Sequence, residues 1–309
     1  MVIFQILIFP GFLFLTVYAL ALQFMDRKIY ARLQNRKGPP WFQPLADFIK
    51  LLGKETIVPN EANPILFRVL PPIAMAAVIT AFFSVPIWGI TALMPFPGDM
   101  IIVLALLAVL PISFFLAGWN SSSMFATVGS QRTLTQLFAY EVPLLMAIMG
   151  PALLTGSWSL SEIAGYYSYN PLMALLNLPG LVCAMLAAQG KLERIPFDTP
   201  EAETEIVAGA FTEYGARLYA FFRLACDIEV VMLSALIAAV FIPAFVTNPF
   251  LGFLLFVLKT GAVLFVLTVV KAGMARLRVE QVVRFCWLVL VPLALAQMVI
   301  NLIMKGFFL

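Results

Sequence analysis

Residues 2–24 read V-I-F-Q-I-L-I-F-P-G-F-L-F-L-T-V-Y-A-L-A-L-Q-F, a stretch without a single charge. About 20 apolar residues are enough to cross the hydrocarbon core of a bilayer as a helix. The run is too long for the core of a secretory signal and has no basic leader, so it reads as a first membrane span. Comparable runs recur along the 309 residues, of which 62% are hydrophobic and only 11% charged, with a mean hydropathy of +1.00. A soluble chain of that composition would have no surface to show to water. The expected fold is an all-α integral membrane protein with about eight transmembrane helices and long structured cytoplasmic loops.

Hydropathy places the spans near 2–24, 68–91, 100–118, 134–155, 172–190, 224–247, 249–270 and 284–304. Proline marks many of their ends (Pro10, Pro71, Pro72, Pro171, Pro249), and Pro111, Pro143, Pro243 and Pro292 are expected to kink them. No internal repeat or low-complexity linker is visible, so residues 1–309 read as one transmembrane domain. Its inner loops lie at about 25–67, 119–133, 191–223 and 271–283.

The basic residues are one-sided. The first of these loops, with its flanks, holds eight: Arg27, Lys28, Arg32, Arg36, Lys37, Lys50, Lys54 and Arg68. The others hold Arg132, then Lys191, Arg194, Arg217 and Arg223, then Lys271, Arg276, Arg278 and Arg284. Of the 19 basic residues only Lys259 and Lys305 fall elsewhere. The positive-inside rule puts this face in the cytoplasm of a cell membrane and both termini outside. Elaborate loops on a rigid scaffold carry function, and here they face inward.

Two absences narrow the chemistry. There is no histidine, and Cys183, Cys226 and Cys286 are far apart in apolar segments. Iron–sulfur, haem, zinc and copper sites need clustered thiolates or imidazoles. No cofactor or metal is expected on this chain; its cysteines read as small buried hydrophobes. Nothing points to nucleic acid.

Residues 192–214, L-E-R-I-P-F-D-T-P-E-A-E-T-E-I-V-A-G-A-F-T-E-Y, concentrate Glu193, Asp198, Glu201, Glu203, Glu205 and Glu213, six of the 16 acids. Such crowding is repulsive unless protons, an ion or a basic partner use it. Thr199 or Asp198 is expected to cap a helix that opens with Pro200, placing Glu201 and Glu205 on one face. The plain alternative is a solvated acidic helix paired with Arg194 and Arg217. The functional reading is a chain of carboxylates whose clustering and partial burial favour the neutral form.

In the first inner loop Gly38-Pro39-Pro40 makes a turn, and Leu45, Phe48, Ile49 and Leu52 are spaced for a surface amphipathic helix with Asp47, Lys50 and Lys54 on its polar side. Within the spans stand Glu141, Asp227, Glu229 and Lys259. Intramembrane charges cost about 2.5–3.5 kcal/mol each on insertion scales and are usually functional. Glu141, in A-Y-E-V-P-L, is the strongest candidate. Asp227 and Glu229 are expected within a turn of the inner face, and Lys259 either snorkels or pairs with a neighbouring subunit.

These loops resemble those of a known family. R-L-Q-N-R-x-G-P-P, Q-P-L-A-D and K-L-x-x-K-E in the first inner loop, Y-E-V-P-L in span four, I-P-F-D-T-P-E-A-E-T-E-I-V-A-G-A-F-T-E-Y, and R-L-R-V-E-Q-V-V-R-F-C-W are similar to motifs of membrane subunit 1 (the bacterial H subunit) of respiratory complex I. The likeness covers nearly the whole chain in order. It implies a cofactor-free subunit at the junction of an electron-transfer arm and an ion-pumping membrane arm, heading a line of carboxylates into the membrane. By motif position that line would hold Glu141, Asp198, Glu201, Glu203, Glu205 and Glu213; Asp227 and Glu229, read from the charges within the spans, would continue it. Arg27, Arg36, Asp47, Lys50, Lys54, Arg276, Arg278 and Glu280 would contact the peripheral arm.

Departures from the pattern choose a branch. Quinone enzymes usually have more residues between G-P-N-x-V-G and Q-P-x-A-D, whereas here G-P-P-W-F runs straight into Q-P-L-A-D, as in membrane-bound nickel–iron hydrogenases. The F-F-L-A-E-Y common in quinone enzymes also places an acid one position earlier than Asp227. The resemblance therefore implies a ferredoxin-driven hydrogenase-type complex, or its sulfur-reducing relative, that couples redox chemistry to H⁺ or Na⁺ translocation. Its partners would be hydrogenase-like large and small subunits bearing the nickel–iron site and iron–sulfur clusters, antiporter-like and small membrane subunits, and lipid. The alternatives are the quinone-chamber subunit of an NADH:quinone oxidoreductase, a stand-alone secondary transporter, and a structural anchor whose acids only dock the arm.

Overall fold

In the computed structural model the described residues are 2–244 and 248–308, so the expected end of the sixth span at 245–247 lies outside them. They form helices and turns with no strand. A short α1 (Val2–Leu7) turns at Phe9-Pro10-Gly11 into α2 (Phe12–Leu33), which continues beyond the apolar run. Polar Gln23 and Asp26 lie on its buried face, so the helix extends for packing rather than for lipid. Its end is tied by Asn35 N–H to Arg32 O and Arg36 N–H to Ala31 O, with Asn35 at φ 58°, a conformation asparagine tolerates.

The surface helix expected from the Leu45–Leu52 spacing is α3 (Gln43–Leu52), packed on α2. Asn63, whose side chain accepts from Ile65 and Leu66 N–H, caps α4 (Pro64–Phe82). Then come α5 (Asp99–Asn120) and α6 (Met124–Thr155). Most of the loop expected at 119–133 is thus helical. Gly129, Ser130 and Thr133 lower hydropathy there but are buried, so protein rather than lipid covers that turn.

The segment expected as the fifth span is broken: α7 (Leu160–Tyr169), α8 (Pro171–Leu175) and α9 (Leu178–Lys191) follow one another, with prolines opening α8 and α9. The 14 residues of α9 reach about 21 Å, short of a full crossing. After the acidic loop, which holds α10 (Glu203–Ile206) and a 3₁₀ turn at Gly209–Phe211, come α11 (Ala216–Phe241), α12 (Pro249–Gly273), α13 (Val279–Phe285), a π-helical turn (Cys286–Leu290) and α14 (Val291–Phe308).

Among the described residues seven helices are long and apolar enough to cross a membrane. The broken α8–α9 segment supplies the return that the chain needs. α6 begins beside the acidic loop, through Arg132, and its 32 residues carry the chain about 48 Å away, yet α11 starts at that same loop. α11 is the axis, nearly all buried, with α2, α4 and α12 against it; α6 is a second hub, packed on α5, α9 and α14. The basic loops meet at one end, as their ion pairs require.

Candidate functional site: a charged cavity under the acidic loop

The acidic loop does not form the expected helix. No helix opens at Pro200; only Glu203–Ile206 is helical, and Glu203 has its side chain outside the described ones. Thr199 is diverted from capping. Its hydroxyl donates to Gln136 Oε1 at 2.6 Å, and Gln136 Nε2 donates to Gly190 O at 2.8 Å, so the loop is pinned to α6 and to the end of α9. Close backbone approach tightens the pin. A Cβ on Gly129 would stand 2.6 Å from Gly209 Cα, and Gly209 itself, at φ 54°, leaves only 2.0 Å between its missing Cβ and Pro200 O. Arg194 goes to Asp26, Arg217 Nε donates to Leu52 O, and the loop acid Glu205 pairs with Arg132 at 2.6 Å.

Beneath the loop lies a cavity of about 220 Å³. Six acids line it (Asp26, Glu193, Asp198, Glu201, Asp227, Glu229) against five bases (Arg27, Lys191, Arg194, Arg223, Lys271). With all of them ionised the lining carries one uncompensated negative charge, which burial penalises and a proton removes. Asp26 is 4% exposed and accepts from Thr268 Oγ1 at 2.6 Å, while Arg194 and Lys271 each stand 3.4 Å from its carboxylate. Gln23 Nε2 donates to Asp227 Oδ1 at 2.9 Å. Asp227 and Glu229 lie in the fourth turn of α11 and are buried. They are not wet residues at the rim, because α11 starts eight residues earlier than hydropathy alone places it.

Glu193 is a half-buried loop acid that lines the cavity. It sits just past α9 in a C-terminal motif: Arg194 N–H reaches Gln189 O at 3.1 Å, and Glu193 N–H reaches Gly190 O at 3.2 Å. Its φ of 49° is a left-handed conformation that usually belongs to glycine there. Burial first, then repulsion from Glu201, Glu229 and Asp198, pushes its carboxyl well above the usual carboxylate range, against a hydrogen bond with Thr133.

From the cavity the charge continues sideways. Lys191 Nζ, fully shielded, lies 3.2 Å from Glu141 Oε2. Glu141 in turn edges an apolar groove of about 440 Å³ between α5 and α6, lined by Leu104, Leu145 and Met149 among others. Glu205, Arg276, Arg278 and Glu280 instead border an open groove of about 760 Å³ with Arg132 and Arg284. Arg276 donates to the carbonyl of Asp198, linking this groove to the cavity.

The expected site residues therefore separate. Asp198, Glu201, Asp227, Glu229 and Arg27 share the cavity, and Glu141 adjoins it through Lys191. Glu205 faces the outer groove and Glu213 is exposed without lining either. Arg36, Lys50 and Lys54 are exposed on the loop surface. Asp47 receives Arg27 Nη1 at 2.9 Å and Gln43 Nε2 at 2.8 Å. Desolvation lifts its carboxyl, but those bonds outweigh it and hold the group below its ordinary value. Lys259 snorkels: its Nζ donates to Ile242 O at 3.0 Å. Gln23, Asp26, Lys191, Glu193, Arg194, Arg223 and Lys271 complete the cavity although motif position does not single them out. The i, i+3, i+4 spacing of Gln23, Asp26 and Arg27 is the sequence signal for that face of α2.

Comparison with known proteins agrees with this architecture. The NADH dehydrogenase family pattern matches residues 5–302. The H subunit of the NADH-quinone oxidoreductase of Dehalococcoides mccartyi is 35% identical over 295 residues, 93% of this chain and 83% of the relative. That of Bacillus thuringiensis is 32% identical over 294 residues, 92% of this chain and 88% of the relative. The structure of the membrane-bound sulfane sulfur reductase, an archaeal respiratory membrane complex, contains a chain with a TM-score of 0.84 at 25% identity, covering 94% of this chain and 96% of that one.

Proposed function

The chain belongs to the NADH dehydrogenase H-subunit family, whose members are subunits of multi-subunit respiratory membrane complexes, and from that premise we propose that it couples electron transfer in a docked peripheral arm to ion translocation in the membrane. The observation that carries the proposal is the buried cavity with six acids and five bases, joined through Lys191 to Glu141 at the edge of an intramembrane groove. Electron transfer in the arm alters charge or hydration at the loop face. The cavity carboxylates take up or release protons in response. The change reaches Glu141 and from there antiporter-like neighbours that move H⁺ or Na⁺. Asp198, Glu201, Asp227, Glu229 and Glu193 form the relay beneath the loop; Glu205, Arg276, Arg278, Glu280, Arg36, Lys50 and Lys54 meet the arm. The loop face is cytoplasmic in this reading.

We assign the complex to the ferredoxin-linked branch, as a hydrogenase-type or sulfur-reducing enzyme, with nickel–iron and iron–sulfur centres in partner subunits and no redox centre on this chain. The short G-P-P-W-F to Q-P-L-A-D junction supports this, as does the likeness to the sulfur reductase chain. Ligand pockets for drug-sized molecules are mostly apolar and of roughly 300–1,000 Å³. A cavity of about 220 Å³ walled by ionisable groups suits water and protons better than a quinone ring and its apolar tail. The second reading, a quinone-chamber subunit, is favoured by the names of the two bacterial relatives.

Affinity purification through this chain tests the proposal. A hydrogenase-like or sulfur-reductase-like arm, metal-containing and reduced by ferredoxin, should come with it, together with antiporter-like subunits. Isolation of the chain alone would support a stand-alone transporter and sink the proposal. Ferredoxin-independent quinone reduction by the isolated complex would move it to the quinone branch.

A further inference from the structure

Lys191 is a buried base that joins the charged cavity to Glu141 without being one of the relay's carboxylates. It ends α9 with its side chain wholly shielded, and its Nζ lies 3.2 Å from Glu141 Oε2 and 5.4 Å from the centre of the Tyr140 ring. Lys191 lines the charged cavity, as Glu229 does, whereas Glu141 lines the apolar groove on the far side. Of the charges acting on Glu229, the Lys191 ammonium attracts and the Glu141 carboxylate repels. Glu229 is 2% exposed, and among the described residues its Oε1 finds no hydrogen-bond partner. Buried acceptors without a donor are rare, and each one asks for an explanation.

We propose that Lys191 is a positioning residue with two stations, pairing with Glu141 in the arrangement seen and with the open Oε1 of Glu229 when that carboxyl is ionised and Glu141 is protonated. The inference rests on the relay reading above. A lysine suits it, because its compact ammonium on a four-carbon stem carries three rotatable donors. On Glu141 the ammonium balances the carboxylate. Once it is withdrawn, Glu141 faces an apolar groove with its charge unbalanced, and a proton replaces the departed cation. One proton arrives as one ammonium leaves, so the buried charge at Glu141 is compensated throughout. The other charged groups around Lys191 are Glu193 from the loop and the remaining acids and bases of the cavity.

Infrared difference titration of the purified complex reads the two stations at equilibrium, with bands assigned through Glu141→Gln and Glu229→Gln. Glu229→Gln removes the inward pull, so the Glu141 carboxylate band should gain intensity over its protonated band relative to the wild type at the same pH. In Lys191→Met the effect of Glu229→Gln on the Glu141 bands should shrink to what direct repulsion between the two acids leaves. Lys191→Gln serves in the same way if the methionine variant does not assemble. An unchanged Glu141 titration in Glu229→Gln would overturn the proposal. So would a shift of the same size without Lys191, which would mean that direct repulsion between the two acids accounts for all of it. The relay reading fails on a different result, namely ion transport per electron that is unaltered in Glu141→Gln.

Discussion

The Arg132 guanidinium lies 2.6 Å from Glu205 Oε2 and ties the second and third turns of α6 to the acidic loop at the rim of the outer groove. The hydrogen bond from Arg132, then its charge, holds the Glu205 carboxyl below its ordinary value. Because the folded value is depressed, this contribution is present above the unfolded value of 4.5 and is lost as pH falls through the folded one. The pair is half-exposed, so it contributes about 0.2–1 kcal/mol. Arg132→Gln should lower the thermal midpoint of the complex slightly at neutral pH and make no difference once Glu205 is protonated. Differential scanning at several pH values checks this.

Gly129 meets the backbone of Gly209 so closely that a single methyl group must push the acidic loop away. Gly129→Ala is expected to destabilise the complex by about 1–3 kcal/mol, the usual cost of overpacking. Trypsin should then cut the loop at Arg194 or Arg217 faster than in the wild type.

Glu193 combines a left-handed backbone with a carboxyl pushed up by burial. Glu193→Gly removes both, and should stabilise the complex modestly, because relief of about 1–2 kcal/mol of left-handed strain outweighs the roughly 0.4–1 kcal/mol of chain entropy that a glycine loses on folding. The pH sign is opposite to that of Glu205. A raised folded value gives a contribution that is full below 4.5 and is lost as pH rises through the folded value. Thermal midpoints of Glu193→Gln should therefore fall less steeply with rising pH than those of the wild type.

Asp26 holds two cations and a hydroxyl in a buried place. Asp26→Asn leaves Arg194 and Lys271 facing each other unpaired, which should cost about 3–5 kcal/mol. The expected readout is loss of assembled complex on native gels. Recovery is expected when Lys271→Met is added, because one of the stranded charges is then gone.

The sequence was most legible where lipid writes it. Long apolar runs locate the helices, and the one-sided bases correctly gather Arg132, Arg194, Lys271 and Arg276 at one end of the bundle. It was least legible where protein covers a polar turn. Gly129, Ser130 and Thr133 look like loop residues to hydropathy but pack under the acidic loop, and the turn before Asp227 is buried for the same reason. Motif position points to Glu201, and the scarcity of charge within the spans points to Asp227 and Glu229, all of which line the cavity. Neither singles out Glu193, Asp26 and Lys191, which tertiary packing of α2, α9 and α12 brings together; only the i, i+3, i+4 spacing of Gln23, Asp26 and Arg27 marks the α2 face locally. The acidic stretch also looked like a capped helix, and became a pinned loop because Thr199 bonds Gln136 instead of its own backbone.

Ion transport per electron in proteoliposomes containing the purified complex, driven by reduced ferredoxin, tests most directly whether the cavity acts on the membrane through Glu141. In Glu141→Gln the account predicts a large fall in the number of ions moved per electron, whatever the absolute turnover. An ion-to-electron ratio equal to that of the wild type would contradict it.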